Sequence, residues 1–261
     1  MRTFWTGIAK VIGVIVAAAL VVVVIFPDKI IWSLPDWLQD QLGPVGPQIV
    51  LEVEPANGDL QHALDESVWI INRRLYELGA RAIARQQGPA RIVVRLSPSA
   101  DTKRCIEVAT RPGKLEFRLI DATMTAAQAV TGRAPPGSEV LYDSNKAPYL
   151  VEKQVLMSGR DIVDAWASFD QRAGGAVVMV RFNSRGGHVF GELTQANVGR
   201  SLVIVFDKEV LSAPVIREPI LTDTAQIAGA FTVEESVDIA TLLRAGELPA
   251  RLVVIVGDSS D

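Results

Sequence analysis

Two histidines, His62 and His188, and one cysteine, Cys105, are the whole supply of imidazole and thiol side chains in this chain. The histidines stand far apart, each without a neighbouring His or Cys. Neither a His-based metal site nor a Ser-His-Asp arrangement has material to form. A single cysteine excludes an internal disulfide, and Cys105, beside Ile106 in a helix-like stretch, reads as a buried inert thiol. Ser184-Arg185-Gly186-Gly187-His188 places a glycine pair at a helix start, where free amides can receive an anion. The same pair also serves as a plain turn from strand to helix, and that reading is favoured. No GxxxxGK[ST], GxSxG or HExxH motif occurs. Glu152-Lys153 and Glu234-Glu235 read as a solvated face and a helix cap. The residues therefore point to recognition rather than catalysis, with no cofactor and no metal expected. Trp166 and Phe169, at i and i+3 beside Asp164 and Asp170, form a candidate apolar spot for a partner, with core filling the stronger alternative. Val210 is a third candidate contact.

The elements that must position these residues fall into two units. In the first, residues 48–121, QIVLEVEP alternates as a strand. Leu60, Leu64, Val68, Ile71, Leu75 and Leu78 then mark one face of a helix that Gly79 ends, and Arg73, Arg74 and Glu77 take the other face. RAIARQ and ARIVVRLSP read as a hairpin around Gly88-Pro89, a short helix runs from Asp101 to about Thr110, and KLEFRLID is a strand. Strand, helix, strand, strand, helix, strand is the ferredoxin-like order, an antiparallel sheet with both helices on one face.

The second unit opens turn-rich, and YLVEKQVLM reads as a strand. GRDIVDAWASFD fits either a short helix or an extended stretch. AVVMVRF and SLVIVFD are apolar runs of strand length, separated by a helix of about Gly186–Asn197. FTVEESVDIATLLRAGELP is the best-marked helix: Thr232 and Glu235 form a capping box, Val233, Val237, Ala240 and Leu243 lie on one face, and Gly246 and Pro249 stop it. ARLVVIV is a lone C-terminal strand that needs a partner. The expectation is that it joins the first sheet, making the second unit an insertion.

Upstream of both units lies VIGVIVAAALVVVVIF, Val11–Phe26, without a charge. Counted from Phe4, the apolar segment is long enough, at roughly 1.5 Å per residue, to cross a hydrocarbon core of about 30 Å. Val11, Val16, Leu20 and Phe26 represent this anchor, with Trp5, Trp32 and Trp37 at its edges. Arg2 and Lys10 precede it, and Asp28, Lys29, Asp36 and Asp40 follow. Positive charge stays inside, so the N-terminus is expected in the cytoplasm and the bulk outside it. No small-x-small site follows, which favours an uncleaved anchor over a signal peptide. A proline-broken linker, residues 28–47, leads to the first unit. The net charge of −4 and pI near 5.4 give no basic patch for nucleic acid.

Several stretches resemble a known family. PPGSEVL, YLVEKQVLMSGRDIVDAWASFDQR, VRFNSRGGHVFGELTQANVGRSLVIVFDKEVLSAPVIREPI and IAGAFTVEESVDIATLLRAGELPARLVVI are similar to the first periplasmic domain of SecD, a subunit of the bacterial protein-export translocase. ALDESVWIINRRLYELGA, ARQQGPARIVVRLSP and GKLEFRLID are similar to the base of that domain. The resemblance implies an α+β fold: an N-terminal transmembrane helix (1–27), a linker (28–47), a ferredoxin-like base (48–121 plus 250–256) and an inserted α+β head (122–249). It implies a periplasmic accessory of Sec-dependent export at the inner membrane, where the one apolar segment provides a single span. The head would contact unfolded secretory polypeptides and swing on the base. Hinge candidates are Asp121, Ala122, Glu247, Leu248 and Pro249, and candidate partners are SecF-like, YidC-like or translocon membrane proteins. The alternative is a non-catalytic docking module on a membrane complex.

Two departures stand out. Where the family carries Gly-Leu-Asp-Leu-x-Gly-Gly, this chain reads Leu42-Gly43-Pro44-Val45-Gly46-Pro47-Gln48. The family also continues into further membrane helices whose buried acids serve proton-driven motion, and a lone apolar anchor offers none. The expectation is a complete short paralogue that is not itself proton-driven.

Overall fold

The structure, a computed structural model, describes residues 46–55, 59–171 and 174–257. The expected anchor, with Val11, Val16, Leu20 and Phe26, lies outside the described residues. Among the described residues no helix is long and apolar enough to cross a membrane. The chain runs β1 (Gln48–Pro55), α1 (Leu60–Glu77), β2 (Ala82–Gln87), β3 (Arg91–Leu96), α2 (Thr102–Thr110) and β4 (Leu115–Leu119). Next come α3 (Ala126–Thr131), β5 (Ser138–Tyr142), β6 (Pro148–Glu152) and β7 (Met157–Ser158). The remainder is β8 (Ile162–Asp170), β9 (Gly175–Phe182), α4 (Ser184–Ala196), β10 (Leu202–Phe206), β11 (Glu209–Ser212), β12 (Thr224–Phe231), α5 (Val233–Ala245) and β13 (Ala250–Gly257).

The first sheet has the order β13-β1-β3-β2, every pair antiparallel. Helix α1 starts where the Asp59 carboxylate accepts from the His62 amide at 3.1 Å, and Gly79, at φ +76°, ends it. Its apolar stripe meets the sheet: Leu64, Ile71 and Leu75 are fully buried with Ile49, Leu51, Ile92 and Leu96. Arg74 departs from the expected solvent face and is fully buried.

The C-terminal strand joins this sheet as expected, but β4, also expected in it, does not. The C-terminal strand β13 pairs with β1 from Ile49↔Gly257 to Pro55↔Ala250, whereas β4 leaves the base and pairs with β10, Leu119↔Leu202 through Leu115↔Phe206. The inserted unit therefore begins at the crossing after α2, near residue 111, and not at 122. Two features turn β4 away. Pro112-Gly113, with Gly113 at φ +78°, bends the chain out of α2. The Asp207 carboxylate, in the turn after β10, then accepts from the amides of Gly113 (3.2 Å) and Lys114 (2.8 Å), which aligns β4 with β10. All five residues of β10 are buried, and it pairs with β4 on one edge and β11 on the other.

The head holds a six-stranded sheet, order β6-β5-β11-β10-β4-β7, and a three-stranded sheet, order β12-β9-β8. One core joins them. Phe117 of β4 meets Phe182 of β9 and Phe190 of α4 edge-on, at ring-centre distances of 6.1 and 5.6 Å. Helix α5 packs between β8, β9 and α1. The Thr232–Glu235 capping box starts it as expected. Its second half, Ile239 to Leu243, is buried on all sides because it lies between head and base. Its first two turns emerge from this layer, so Val233 and Val237, expected in the core stripe, are 67% and 38% exposed.

Candidate functional site

GRDIVDAWASFD resolves into a single 3-10 turn, Gly159–Asp161, and the nine-residue strand β8. β8 is an edge of the three-stranded sheet, paired only through β9 within it: Trp166 opposes Met179, Ala167 opposes Val178, and Phe169 opposes Ala176. Successive residues of a strand alternate between faces. Trp166, Met179 and Gln226 share one row of the outer face, because Gln226 of β12 opposes Met179. Ala165 and Val178 take the inner face and are fully buried. Phe169 has the same parity as Ala165 but lies beyond the core, and is 60% exposed; Trp166 is 38% exposed. Core filling is thus not their role.

The edge of β8 is closed at one point and open further on. Arg244 of α5 donates from Nη1 to the Ala165 carbonyl at 2.8 Å, so that carbonyl faces away from β9. In an antiparallel ladder the outward-facing backbone groups recur every second residue, which places those of Ala167 and Phe169 on the same edge. The row Phe169–Ala176–Phe231 also sets the end of the sheet at which α5 begins. Exposed Phe169 therefore shares that end of the head with exposed Val233 and Val237, while Trp166 is exposed on the opposite face of the sheet. An ion pair and a hydrogen bond hold the flanks: Arg181 donates to Asp164 at 3.0 Å, and the Gln226 amide donates to Asp170 at 3.0 Å.

Val210 is not part of this surface. It is 2% exposed and packs with Leu141, Val151, Val203 and Val205 on the other face of the six-stranded sheet, where a partner cannot reach it. It reads as exposed in sequence because β11 is short and follows a polar turn. Asp121 and Ala122 lie within the head, just after β4. The Asp121 carboxylate accepts from the Ser138 hydroxyl at 2.5 Å and from the Thr123 hydroxyl at 2.6 Å, and these bonds hold it below the usual carboxylate range. Glu247, Leu248 and Pro249 lie on the second crossing between the units, where the Leu248 amide donates to the Pro112 carbonyl at 2.9 Å.

The glycine pair at the start of α4 is a packing device. Asn183 accepts from the Gly186 amide with its side chain at 2.7 Å and from the Gly187 amide with its carbonyl at 2.9 Å, which occupies the donors an anion would need. A Cβ on Gly186 would stand 2.6 Å from Cβ of Asp161. His188 is exposed and lies 3.7 Å from Glu192. Among the described residues no cluster of His, Cys, Asp or Glu is suited to hold a metal ion. Cys105 is buried, and burial pushes its thiol up, away from the reactive thiolate. Val233, Val237 and the edge of β8 are the residues that sequence reasoning missed. A strand assignment for residues 162–170 would have exposed the edge.

Comparison with known proteins agrees with this architecture. The family model described as "SecDF, P1 head subdomain" matches residues 138–250. The chain is 37% identical to the protein translocase subunit SecD of Rickettsia bellii over 75% of its own length and 38% of the relative's. It is 32% identical to SecD of Desulfurispirillum indicum over 74% of its length and 40% of the relative's. It thus spans about two fifths of the curated relatives it matches. A solved structure described as a membrane component SecDF that enhances protein export is 32% identical. The match covers 80% of this chain and 98% of that one, with a TM-score of 0.64. SecDF in its super-membrane-facing form matches with a TM-score of 0.67 at 32% identity, over 81% of this chain and 30% of that one.

Proposed function

This chain belongs to the SecD family, and from that premise we propose that it is a membrane-anchored accessory of protein export whose head binds translocating polypeptide in extended form along β8. The reading is non-enzymatic. Its support is the open edge of β8, which combines outward backbone groups at Ala167 and Phe169 with exposed apolar side chains from two elements. An extended chain added to an edge strand gains main-chain hydrogen bonds that do not depend on its sequence, and apolar contacts add affinity. Such a site suits a protein that must hold many different unfolded clients. A rigid three-stranded sheet with α5 behind it presents the edge ready-formed, which lowers the ordering cost on the protein's side.

The anchor and topology belong to the same proposal. The apolar segment before residue 27 would tether the base, with the N-terminus in the cytoplasm and the head in the periplasm of a bacterial cell. SecF-like, YidC-like or translocon membrane proteins are the proposed resident partners. The family-type swing of the head is proposed to pivot at the crossings near residues 111–113 and 246–249. Asp121 and Ala122, inside the head, would move with it.

The test is photo-crosslinking in the membrane from probes at positions 166 and 169 during export of a stalled secretory protein. Crosslinks to the translocating chain are expected at both positions, and none from a probe at exposed Glu66 on the base. Crosslinks only to resident membrane proteins would overturn polypeptide binding in favour of a docking module.

A further inference from the structure

The two chain crossings between base and head meet at one buried guanidinium. Arg74, near the end of α1, is fully buried. All four of its hydrogen bonds go to backbone carbonyls. Nη1 donates to Val108 at 3.1 Å and to Arg111, and Nη2 donates to Pro112 at 3.1 Å and to Gly246 at 2.7 Å. Val108 and Arg111 close α2 of the base, Pro112 is on the outgoing crossing, and Gly246 caps α5 on the return. The carbonyl ends of two helices thus face one cation, and their dipoles supply the negative potential a carboxylate would otherwise bring. Burial lowers the Arg74 pKa to about 10, which still leaves it protonated at neutral pH.

The surroundings are shaped to this contact. Gly113 has φ +78°, and a Cβ there would stand 2.6 Å from Nη2 of Arg74. On the other side of the crossing the Asp207 carboxylate accepts from Arg111 Nε at 3.1 Å, in addition to the Gly113 and Lys114 amides, while the Arg111 guanidinium lies 4.8 Å from the centre of the Phe206 ring. Further out, partly exposed ion pairs join the same bodies: Arg244 with Glu77 at 2.6 Å, and Arg104 with Asp238 at 2.7 Å and Glu234 at 2.9 Å. Exposed pairs of this kind stabilise weakly.

We propose that Arg74 is the pin that sets how the head sits on the base, by tying both crossings to α1 through their carbonyls. It is a positioning residue. The bland alternative is a core filler whose charge is incidental, and the two differ in what methionine does. Met fills a similar volume, and replacing a buried charge with a well-packed apolar side chain is often neutral or stabilising. As a filler, Arg74→Met leaves the orientation of the head unchanged. As a pin, it leaves the Val108, Arg111, Pro112 and Gly246 carbonyls without their donor, and the crossings loosen.

The experiment uses the full chain in detergent with spin labels at Glu66→Cys on α1 and Glu192→Cys on α4, both exposed positions; buried Cys105 is shielded from the label. Double electron–electron resonance reads the distance between base and head. In the absence of partners the original chain is expected to give one narrow distance, that of the seated position from which the head would swing. Arg74→Met is expected to lose it for a broad distribution while circular dichroism shows both units folded. Arg74→Lys, which keeps the charge but replaces the forked guanidinium with a single ammonium that cannot span the four carbonyls, is expected to broaden it as well, and it decides the matter if Arg74→Met does not fold. A narrow, unshifted distance in a folded variant overturns the proposal.

Discussion

Truncating Phe169 tests the binding edge quantitatively. A phenylalanine or tryptophan side chain buries roughly 150–250 Å² when fully covered. With Phe169 60% exposed, on the order of 100 Å² remains for a bound chain to cover. At about 25 cal/mol per Å² this is worth up to ~2.5 kcal/mol. Ordering the side chain at an interface returns about 0.5–1.5 kcal/mol of that. Phe169→Ala should therefore weaken binding by about 1–2 kcal/mol, or roughly tenfold. Trp166, larger but 38% exposed, leaves a similar area and should have a similar effect. The parts of the rings already covered, about 40% of Phe169 and 62% of Trp166, pack within the folded protein, so at about 25 cal/mol per Å² the truncations should also cost on the order of 2 and 4 kcal/mol of stability. The assay is fluorescence anisotropy with a labelled polypeptide kept unfolded by reduction and carboxymethylation, run beside thermal unfolding. If both variants, assayed at a temperature where they remain folded, bind within twofold of the original chain, the apolar half of the argument is wrong.

Two further expectations concern the scaffold. Phe117→Ala removes the ring that meets both Phe182 and Phe190, and should destabilise the head by about 3–5 kcal/mol in denaturant unfolding, with Ile204→Val costing much less, about 0.5–1.5 kcal/mol. Asp121 sits below its ordinary pKa through its bonds from Ser138 and Thr123. The sign follows: a lowered folded-state pKa gives stability that is present above the unfolded value of about 3.9 and lost as pH falls through the folded one. Tm should accordingly drop below about pH 4, and Asp121→Asn, which has no carboxylate to titrate there, should flatten part of that drop while lowering Tm at neutral pH.

The residue pattern alone determined most local structure. Leu64, Ile71 and Leu75 recur at helical spacing and do meet the sheet; Thr232 and Glu235 cap α5; Leu115, Phe117 and Leu119 alternate as a strand. Each of these follows from interactions within a few residues, which periodicity and capping report directly. The absence of catalytic motifs and the resemblance to SecD were equally legible without coordinates.

Tertiary structure decided which of these local solutions meet. The alternation in β4 suits the base sheet or the head sheet equally, and only the pairing with Leu202–Phe206, far along the chain, assigns it to the head. Val233 and Val237 look like core residues because a helical stripe does not say where its neighbouring layer ends. Val210 looks exposed because a short strand after a turn does not say what folds over it. Arg74 looks solvated because charge usually is, and its burial depends on carbonyls at Arg111, Pro112 and Gly246 that come together only when two distant crossings converge. Local pattern records the preference of a segment, whereas pairing, layer edges and convergent carbonyls are properties of segments far apart in sequence, and no local pattern encodes them.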